Sequence, residues 1–214
     1  MSDIWAALPV KEFAGAKQRL SPLLTPGQRE ALAACMLEDV LAALAGAGLA
    51  GILVNTLDPK ATELARRYGA RVIGDEARSG HTGAVDAMAR TLAREGRAGM
   101  LAIPGDVPRV TAAEIDAVLG ARRPAPSFTI APAHDELGSN AVLCCPPEAM
   151  PLRFGDNSFF PHLDGARRRG MEPTIVKLPG IALDIDHPED LRAFLRATPA
   201  METRTLALLR SFGV

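Results

Sequence analysis

Through its first half the chain alternates short apolar runs with longer segments of helical spacing, and that rhythm constrains the fold more than any other feature. The apolar runs are Trp5 to Val10, Gly51 to Thr56, Arg71 to Ile73 and Met100 to Pro104. Thr25 and Pro26 open the first intervening segment, where Leu32, Met36, Leu37, Val40, Leu41 and Leu44 recur at helical spacing before Gly46 and Gly48. Asp58-Pro59 opens a second, ended by Gly69, and a third runs from Thr82 to Arg94. Thr111 to Leu119 follows the fourth run, with Thr111 and Glu114 in capping-box positions. Strands that pair in parallel need crossovers of a dozen or more residues, usually helices. The alternation therefore predicts an α/β fold built on a doubly wound, mostly parallel sheet.

After Leu119 the rhythm changes. Ser127 to Ala131 and Ala141 to Cys145 read as strands separated by a polar loop, His134 to Asn140, and are expected as a pair laid over the front of the sheet. Ser158 to Arg168 reads as a helix, Thr174 to Leu178 as a strand and Pro188 to Ala197 as a last helix of the domain. One domain over 1–198 is expected, with a tail over 199–214. From Met201 onward that tail reads as a short amphipathic helix that covers either the core or the interface of a homodimer.

The chain has 214 residues, 48% of them hydrophobic and 23% charged, which suits one large domain with a full core. Its net charge of −1 supplies no basic excess for nucleic acid and no polybasic stripe for a membrane surface. Met1 to Trp5 lacks a signal-like pattern, and no apolar run approaches the roughly 20 residues needed to span a bilayer. A cytoplasmic protein is expected. Three cysteines, with Cys144 and Cys145 adjacent, form no disulfide framework and read as reduced thiols, the adjacent pair facing opposite sides of a strand.

Candidate chemistry begins with three aspartates. Asp106 lies in Ile103-Pro104-Gly105-Asp106-Val107-Pro108, and Asp184 and Asp186 lie in Leu183-Asp184-Ile185-Asp186-His187-Pro188. Each segment reads as the C-terminal end of a buried strand. Ligands of open α/β sheets bind beyond such ends. Two apart on a strand, Asp184 and Asp186 point the same way. With Asp106 they make a cluster of hard oxygens suited to Mg²⁺, which takes one or two carboxylates plus substrate phosphates. The competing reading makes both segments turn starts and helix caps.

Four further segments carry polar groups. The loop after the first strand, Leu8-Pro9-Val10-Lys11 with Gly15 to Leu20, places Lys11, Lys17 and Arg19 where phosphates usually sit, without a Walker or G-x-G-x-x-G pattern. Gly80-His81-Thr82-Gly83 precedes a helix and offers backbone N–H groups to a base, ribose or phosphate. Gly138, Ser139 and Asn140 enter a strand, and Arg153, Gly155 and Ser158 lead into a helix whose N-terminus favours an anion. The histidines, His81, His134, His162 and His187, lack the close pairing of a zinc site and read as surface, cap or helix residues.

Taken in order, these pieces resemble the 2-phospho-L-lactate guanylyltransferase family, the phospho-acid guanylyltransferases of deazaflavin coenzyme biosynthesis. The resemblance runs from Pro9 to about Leu195. It rests on Pro9-Val10-Lys11 with Ala16-Lys17 and Arg19-Leu20, on Met36-Leu37 with Asp39-Val40-Leu41, and on Gly105-Asp106-Val107-Pro108. Gly138-Ser139-Asn140-Ala141, Arg153-Phe154-Gly155 with Ser158-Phe159, and Leu178-Pro179-Gly180 through Asp186 to Leu191 complete it. It implies a nucleotidyltransferase variant of the doubly wound sheet, similar to nucleotide-diphospho-sugar transferases. It also implies transfer of GMP from GTP to a small phospho-acid (2-phospho-L-lactate, phosphoenolpyruvate or 3-phospho-D-glycerate).

By resemblance Asp106, Asp184 and Asp186 hold Mg²⁺. Asp106, Lys17 and Arg19 serve the reaction. Pro9, Val10, Lys11, Gly80 and Thr82 face the nucleotide, and Ser139, Asn140, Arg153, Gly155 and Ser158 face the phospho-acid. The chain departs from the family's usual Gly-Leu-Asn at Gly80-His81-Thr82 and its frequent Gly-Thr-Asn at Gly138-Ser139-Asn140. The other readings are a molybdopterin or sugar-phosphate nucleotidyltransferase, against which the first loop's missing Gly-Gly pair counts, and a non-catalytic nucleotide-binding module, which need not keep three aspartates.

Overall fold

The computed structural model describes residues 3–74, 77, 79–155, 157–197 and 201–213. The expected boundary at 198/199 lies outside the described residues, as do Met1 and Ser2 of the segments named above. The strands are β1 (Ile4–Pro9), β2 (Gly51–Asn55), β3 (Arg71–Ile73), β4 (Gly99–Ala102), β5 (Ser127–Pro132), β6 (Ser139–Cys145) and β7 (Thr174–Ile175). They form one seven-stranded sheet in the order β3-β2-β1-β4-β6-β5-β7. β1 pairs in parallel with both β2 and β4, so the strand order reverses direction there. That switch point is where a doubly wound sheet opens a ligand crevice.

Both faces of the sheet are covered, and the alternation along each strand divides the core in two. Ile4, Ala6 and Leu8 join Ile52, Val54, Leu101 and Ile103 on one face. Helix α1 (Pro26–Ala45) lies there with α2 (Pro59–Arg67) and α4 (Ala112–Gly120). Ala7, Leu53, Met100 and Ala102 face the other side, with α3 (Gly80–Arg94) and α5 (Phe159–Arg167). Cys144 and Cys145 divide between the two faces as expected, and all three cysteines are free. Thr25 and Thr111 cap α1 and α4 through complete capping boxes.

The second half corrects the sequence reading. β5 and β6 do not lie over the front of the sheet; they extend it, with β6 antiparallel to β4 and Ala102 opposite Val142. The reversal puts the start of β6 beside the end of β4, so Ser139 and Asn140 open a strand at the crevice rather than closing a loop. The expected strand Thr174 to Leu178 shortens to β7, and a single turn, α6 (Pro179–Ala182), follows. Gly180 is required in that turn: an added Cβ would lie 2.2 Å from Glu114 Oε2 and 2.4 Å from the Arg109 carbonyl. Its N–H donates to Glu114 Oε1 at 2.7 Å, tying the turn to α4.

Helix α7 (Pro188–Arg196) and α8 (Arg204–Ser211) complete a third apolar cluster with α1. Leu206 and Leu209 of the tail pack there with Leu20, Leu32, Met36, Ile185 and Leu191. The tail therefore covers the chain's own core. Asp39, buried on α1, fastens it: Oδ1 and Oδ2 accept the backbone N–H groups of Arg204 and Thr205 at 3.0 and 2.9 Å. Among the described residues no helix is long and apolar enough to cross a membrane.

Replacing Asp39 with alanine leaves two helix-terminal donors, the buried Thr205 N–H and the part-buried Arg204 N–H, without their charged acceptor. The Asp39→Ala variant should lose about 2–3 kcal/mol of unfolding free energy in urea titration. A loss below about 0.5 kcal/mol would mean that apolar contact alone docks α8.

Candidate active site

The loop after β1 is shaped by buried anchors that leave its cations lining the cleft. Phe13 is buried, and its N–H donates to Asp58 Oδ2 at 2.9 Å. Asp58 Oδ1 caps α2 through the Ala61 N–H, so one carboxylate holds both the loop and the helix. Leu20 is fully buried in the third cluster. Between these anchors Lys17 adopts a left-handed backbone conformation, φ 51°, which few non-glycine residues take. Its ammonium lies 2.6 Å from Asp106 Oδ2 and 2.6 Å from Asp186 Oδ1.

The acids arrive from two directions. Asp106 sits in a turn beyond β4, and its carbonyl accepts the Ile185 N–H at 3.1 Å. Asp184 and Asp186 were expected at a strand end; they lie instead on an extended connection between α6 and α7. The alternation still holds, because Ile185 is fully buried while both aspartates line the cleft. Asp190 fixes the far end by accepting the N–H groups of Asp186 and His187 at 3.1 and 2.7 Å.

Burial and charge together set the protonation of the cluster. Burial alone would lower the Lys17 ammonium, but Asp106 and Asp186 outweigh it and hold the group above its ordinary range. Burial would likewise raise Asp186, and Lys17 reverses that and keeps it ionised. Asp184 goes the other way. Burial pushes its carboxyl up and the charges of Asp106 and Asp186 add to it, against the hydrogen bond from Asn140.

One cleft of about 1440 Å³ gathers most of the expected site. Pro9, Val10, Lys11, Lys17, Arg19, Gly80 and Thr82 line it with Asp106, Asp184, Asp186, Ser139, Asn140, Gly155 and Ser158. Arg19 stands at the rim, 3.1 Å from His187 Nε2 and 4.0 Å from Asp186 Oδ2. Gly80, at φ 76°, opens α3 two residues earlier than the spacing indicates, and no atom lies within 4 Å of an added Cβ, so the backbone there faces open space.

Three expected contacts differ. Arg153 is exposed and does not line the cleft; its backbone N–H donates to His162 Nε2. The Asn140 amide donates to the Ile181 and Ala182 carbonyls and to Asp184 Oδ1 at 3.0, 3.2 and 2.9 Å, so that nitrogen positions Asp184. The Thr82 hydroxyl accepts the Phe154 N–H at 3.0 Å and donates to its carbonyl at 3.4 Å, locking α3 to the Arg153-Gly155 loop.

The residue that sequence reasoning missed is His162. It is 2% exposed, with Nδ1 3.0 Å from Ser139 Oγ, while Ser158 Oγ lies 3.1 Å from the same oxygen. The signal was present: His162 is four residues after Ser158, one helical turn along the same face.

The three carboxylates do not form a ready-made cage; among the described residues no group of three or more acidic, histidine or cysteine side chains is arranged to hold a metal ion. Lys17 lies between Asp106 and Asp186 instead. The donors themselves remain suitable for a hard cation completed by substrate phosphates.

Solved structures show the class of this architecture. A putative nucleotide-diphospho-sugar transferase from Desulfovibrio desulfuricans G20 superposes with a TM-score of 0.77 at 18% identity, covering 99% of this chain and 95% of that one. The fold is that of the nucleotidyltransferases and nucleotide-diphospho-sugar transferases. The family described as Guanylyl transferase CofC like matches residues 4–214, and the chain belongs to it. A phosphoenolpyruvate guanylyltransferase of Rubrobacter xylanophilus is 39% identical over 94% of this chain and 98% of its own length. A 2-phospho-L-lactate guanylyltransferase of Methanothermobacter thermautotrophicus is 36% identical over 87% of this chain and 81% of its own.

Because the folded-state value of Asp184 lies above its ordinary 3.8, stability falls as pH rises from there through the folded value, and the carboxylate is unfavourable at neutral pH. Asp184→Asn should raise the thermal midpoint in metal-free neutral buffer by ~2 °C. The gain should vanish at pH values below the ordinary one, where the acid is protonated in both states. Added Mg²⁺ should raise the midpoint of the wild type more than that of the variant. An unchanged metal-free midpoint would show that the carboxylate is no burden there.

Proposed function

We propose that this protein transfers GMP from GTP to the phosphate of a small phospho-acid and releases pyrophosphate. The observation that carries the reading is a cleft at the sheet's switch point with the Asp106–Lys17–Asp186 bridge in one part and the Ser139–Ser158 hydroxyl pair in another. At about 1440 Å³ it exceeds the range of about 300–1,000 Å³ usual for one small ligand, which suits a nucleotide and an acceptor together.

In this reading an ionised phosphate oxygen of the acceptor attacks the α-phosphorus of GTP. A bond forms between that oxygen and phosphorus, the bond to the bridging oxygen of the β-phosphate breaks, and pyrophosphate carries the electron pair away. No protein nucleophile is needed, so the chain acts by positioning and by charge. An ammonium has three N–H donors. Lys17 directs two to Asp106 and Asp186, which leaves one for a phosphate oxygen. Lys11 and Arg19 add cationic charge along the same wall of the cleft. The side-chain nitrogen of Asn140 and the carboxylate of Asp190 hold the aspartate connection in place.

Asp106, Asp184 and Asp186 would hold Mg²⁺ together with the phosphates, and the ion would neutralise charge developing on the transferred and leaving groups. Phosphoenolpyruvate is the first acceptor to examine, because it appears in the name of a relative 39% identical to this chain. 2-Phospho-L-lactate and 3-phospho-D-glycerate follow, and the product would serve deazaflavin coenzyme biosynthesis.

Pyrophosphate release should appear with Mg²⁺, GTP and one of these acids, and should be weaker with ATP, CTP or UTP. Asp106→Asn should reduce turnover by at least about 100-fold with an unchanged circular dichroism spectrum. Near-native turnover in that variant would remove the carboxylate from the mechanism.

A further inference from the structure

Three polar side chains meet beneath the cleft wall, and the count of their hydrogens decides what the wall can bind. Ser139 begins β6, Ser158 precedes α5 and His162 lies one turn into that helix; they are 9%, 5% and 2% exposed. His162 Nδ1 is 3.0 Å from Ser139 Oγ, and the two serine oxygens are 3.1 Å apart. On its other side, His162 Nε2 is 3.1 Å from the backbone nitrogen of Arg153. Phe154 packs edge-on against the ring, centroids 5.3 Å apart, and against His81 at 4.7 Å, which holds the imidazole from the cleft side.

A backbone N–H can only donate, so Nε2 must be the accepting nitrogen. Burial keeps the ring neutral, its pKa pushed down to about 4. A neutral imidazole carries one N–H, which then sits on Nδ1 and points at Ser139 Oγ. The contact between the serines uses one hydroxyl hydrogen, whichever residue supplies it. Two hydroxyls carry two hydrogens, so one remains, and no bond within the described residues takes it up. Both serines line the cleft. With the proton on Nε2 instead, Nδ1 would accept from Ser139, Ser139 would accept from Ser158, and the pair would present only lone pairs. An anion would then be repelled.

We infer that His162 is a positioning residue: by donating from Nδ1 it makes the Ser139–Ser158 pair a hydrogen-bond donor toward the cleft and so selects an anionic oxygen of the acceptor. The Arg153 backbone sets the tautomer and the hydroxyl pair delivers it, so histidine chemistry shapes the subsite without touching substrate. This deepens the proposed function and rests on that reading of the cleft.

Long-range ¹H–¹⁵N NMR of the wild type, without substrate at neutral pH, reads the tautomer directly. A neutral His162 protonated on Nδ1 is expected; protonation on Nε2 overturns the inference. Steady-state kinetics then use GTP with whichever of the three phospho-acids the wild type turns over. H162F keeps a ring against Phe154 and loses both nitrogens, whereas the amide nitrogen of H162N reaches the Nδ1 position. The phenylalanine variant should raise the acceptor KM at least about tenfold with the GTP KM within about twofold, and the asparagine variant should recover to within about threefold of wild type. Equal rises in both KM values, or identical behaviour of the two variants, would reduce His162 to packing. A phenylalanine variant that does not fold leaves the wild-type tautomer to decide. A wild type that turns over no phospho-acid sinks the proposed reaction, and the tautomer then decides the hydrogen count on its own.

Discussion

A single ammonium joins the three segments on which the cleft depends. Lys17 comes from the loop after β1, Asp106 from the turn after β4 and Asp186 from the connection before α7, and the two bonds span 89 and 169 residues. Two carboxylates this close repel unless a cation lies between them. The partly buried ammonium is stable only because both carboxylates answer it. Each group therefore holds the others in the charged form, and the loop, the turn and the connection are fixed relative to one another. The left-handed backbone at Lys17 is the local strain that this arrangement offsets.

The sheet makes that meeting possible. β1 lies between β2 and β4, so the loops leaving β1 and β4 emerge side by side at the switch point. The antiparallel β6 runs back along β4 and begins where β4 ends, which brings Ser139 and Asn140 to the same crevice. Asn140 then carries the connection, since its amide donates to α6 and to Asp184. Behind the acids, Ile185, Leu191 and Leu20 share one apolar cluster with α1 and α8. The floor under Lys17 and Asp186 is thus the same packing that docks the C-terminal helix, and Asp39 on α1 ties the two together.

The wall that carries Ser139 and Ser158 is organised differently, by neutral polar groups rather than charge. His162, Ser139 and Ser158 are all buried, and Thr82 links the start of α3 to the Arg153-Gly155 loop through both backbone groups of Phe154. The departure at His81-Thr82 from the family's usual residues falls on this link, with the His81 ring against Phe154. Its physical role lies in holding the loop before α5 against the start of α3.

Much was legible from the sequence because the signals are local. Apolar runs and helical spacing predict the α/β class, Thr25 and Thr111 predict their caps, and the order of short motifs marks the family. Even the pairing of Asp184 and Asp186 on one side survives without a strand, since extended backbone alternates whether or not it is hydrogen-bonded into a sheet. Tertiary structure decided what depends on partners far along the chain. The direction of β6 follows from pairing with β4, which no local pattern encodes. The lysine between the aspartates, the exposed side chain of Arg153 and the engaged amide of Asn140 are outcomes of which groups fold up against them. His162 illustrates the division: its identity and its distance from Ser158 are written in the chain, but its tautomer depends on the Arg153 N–H that packing brings to its other nitrogen.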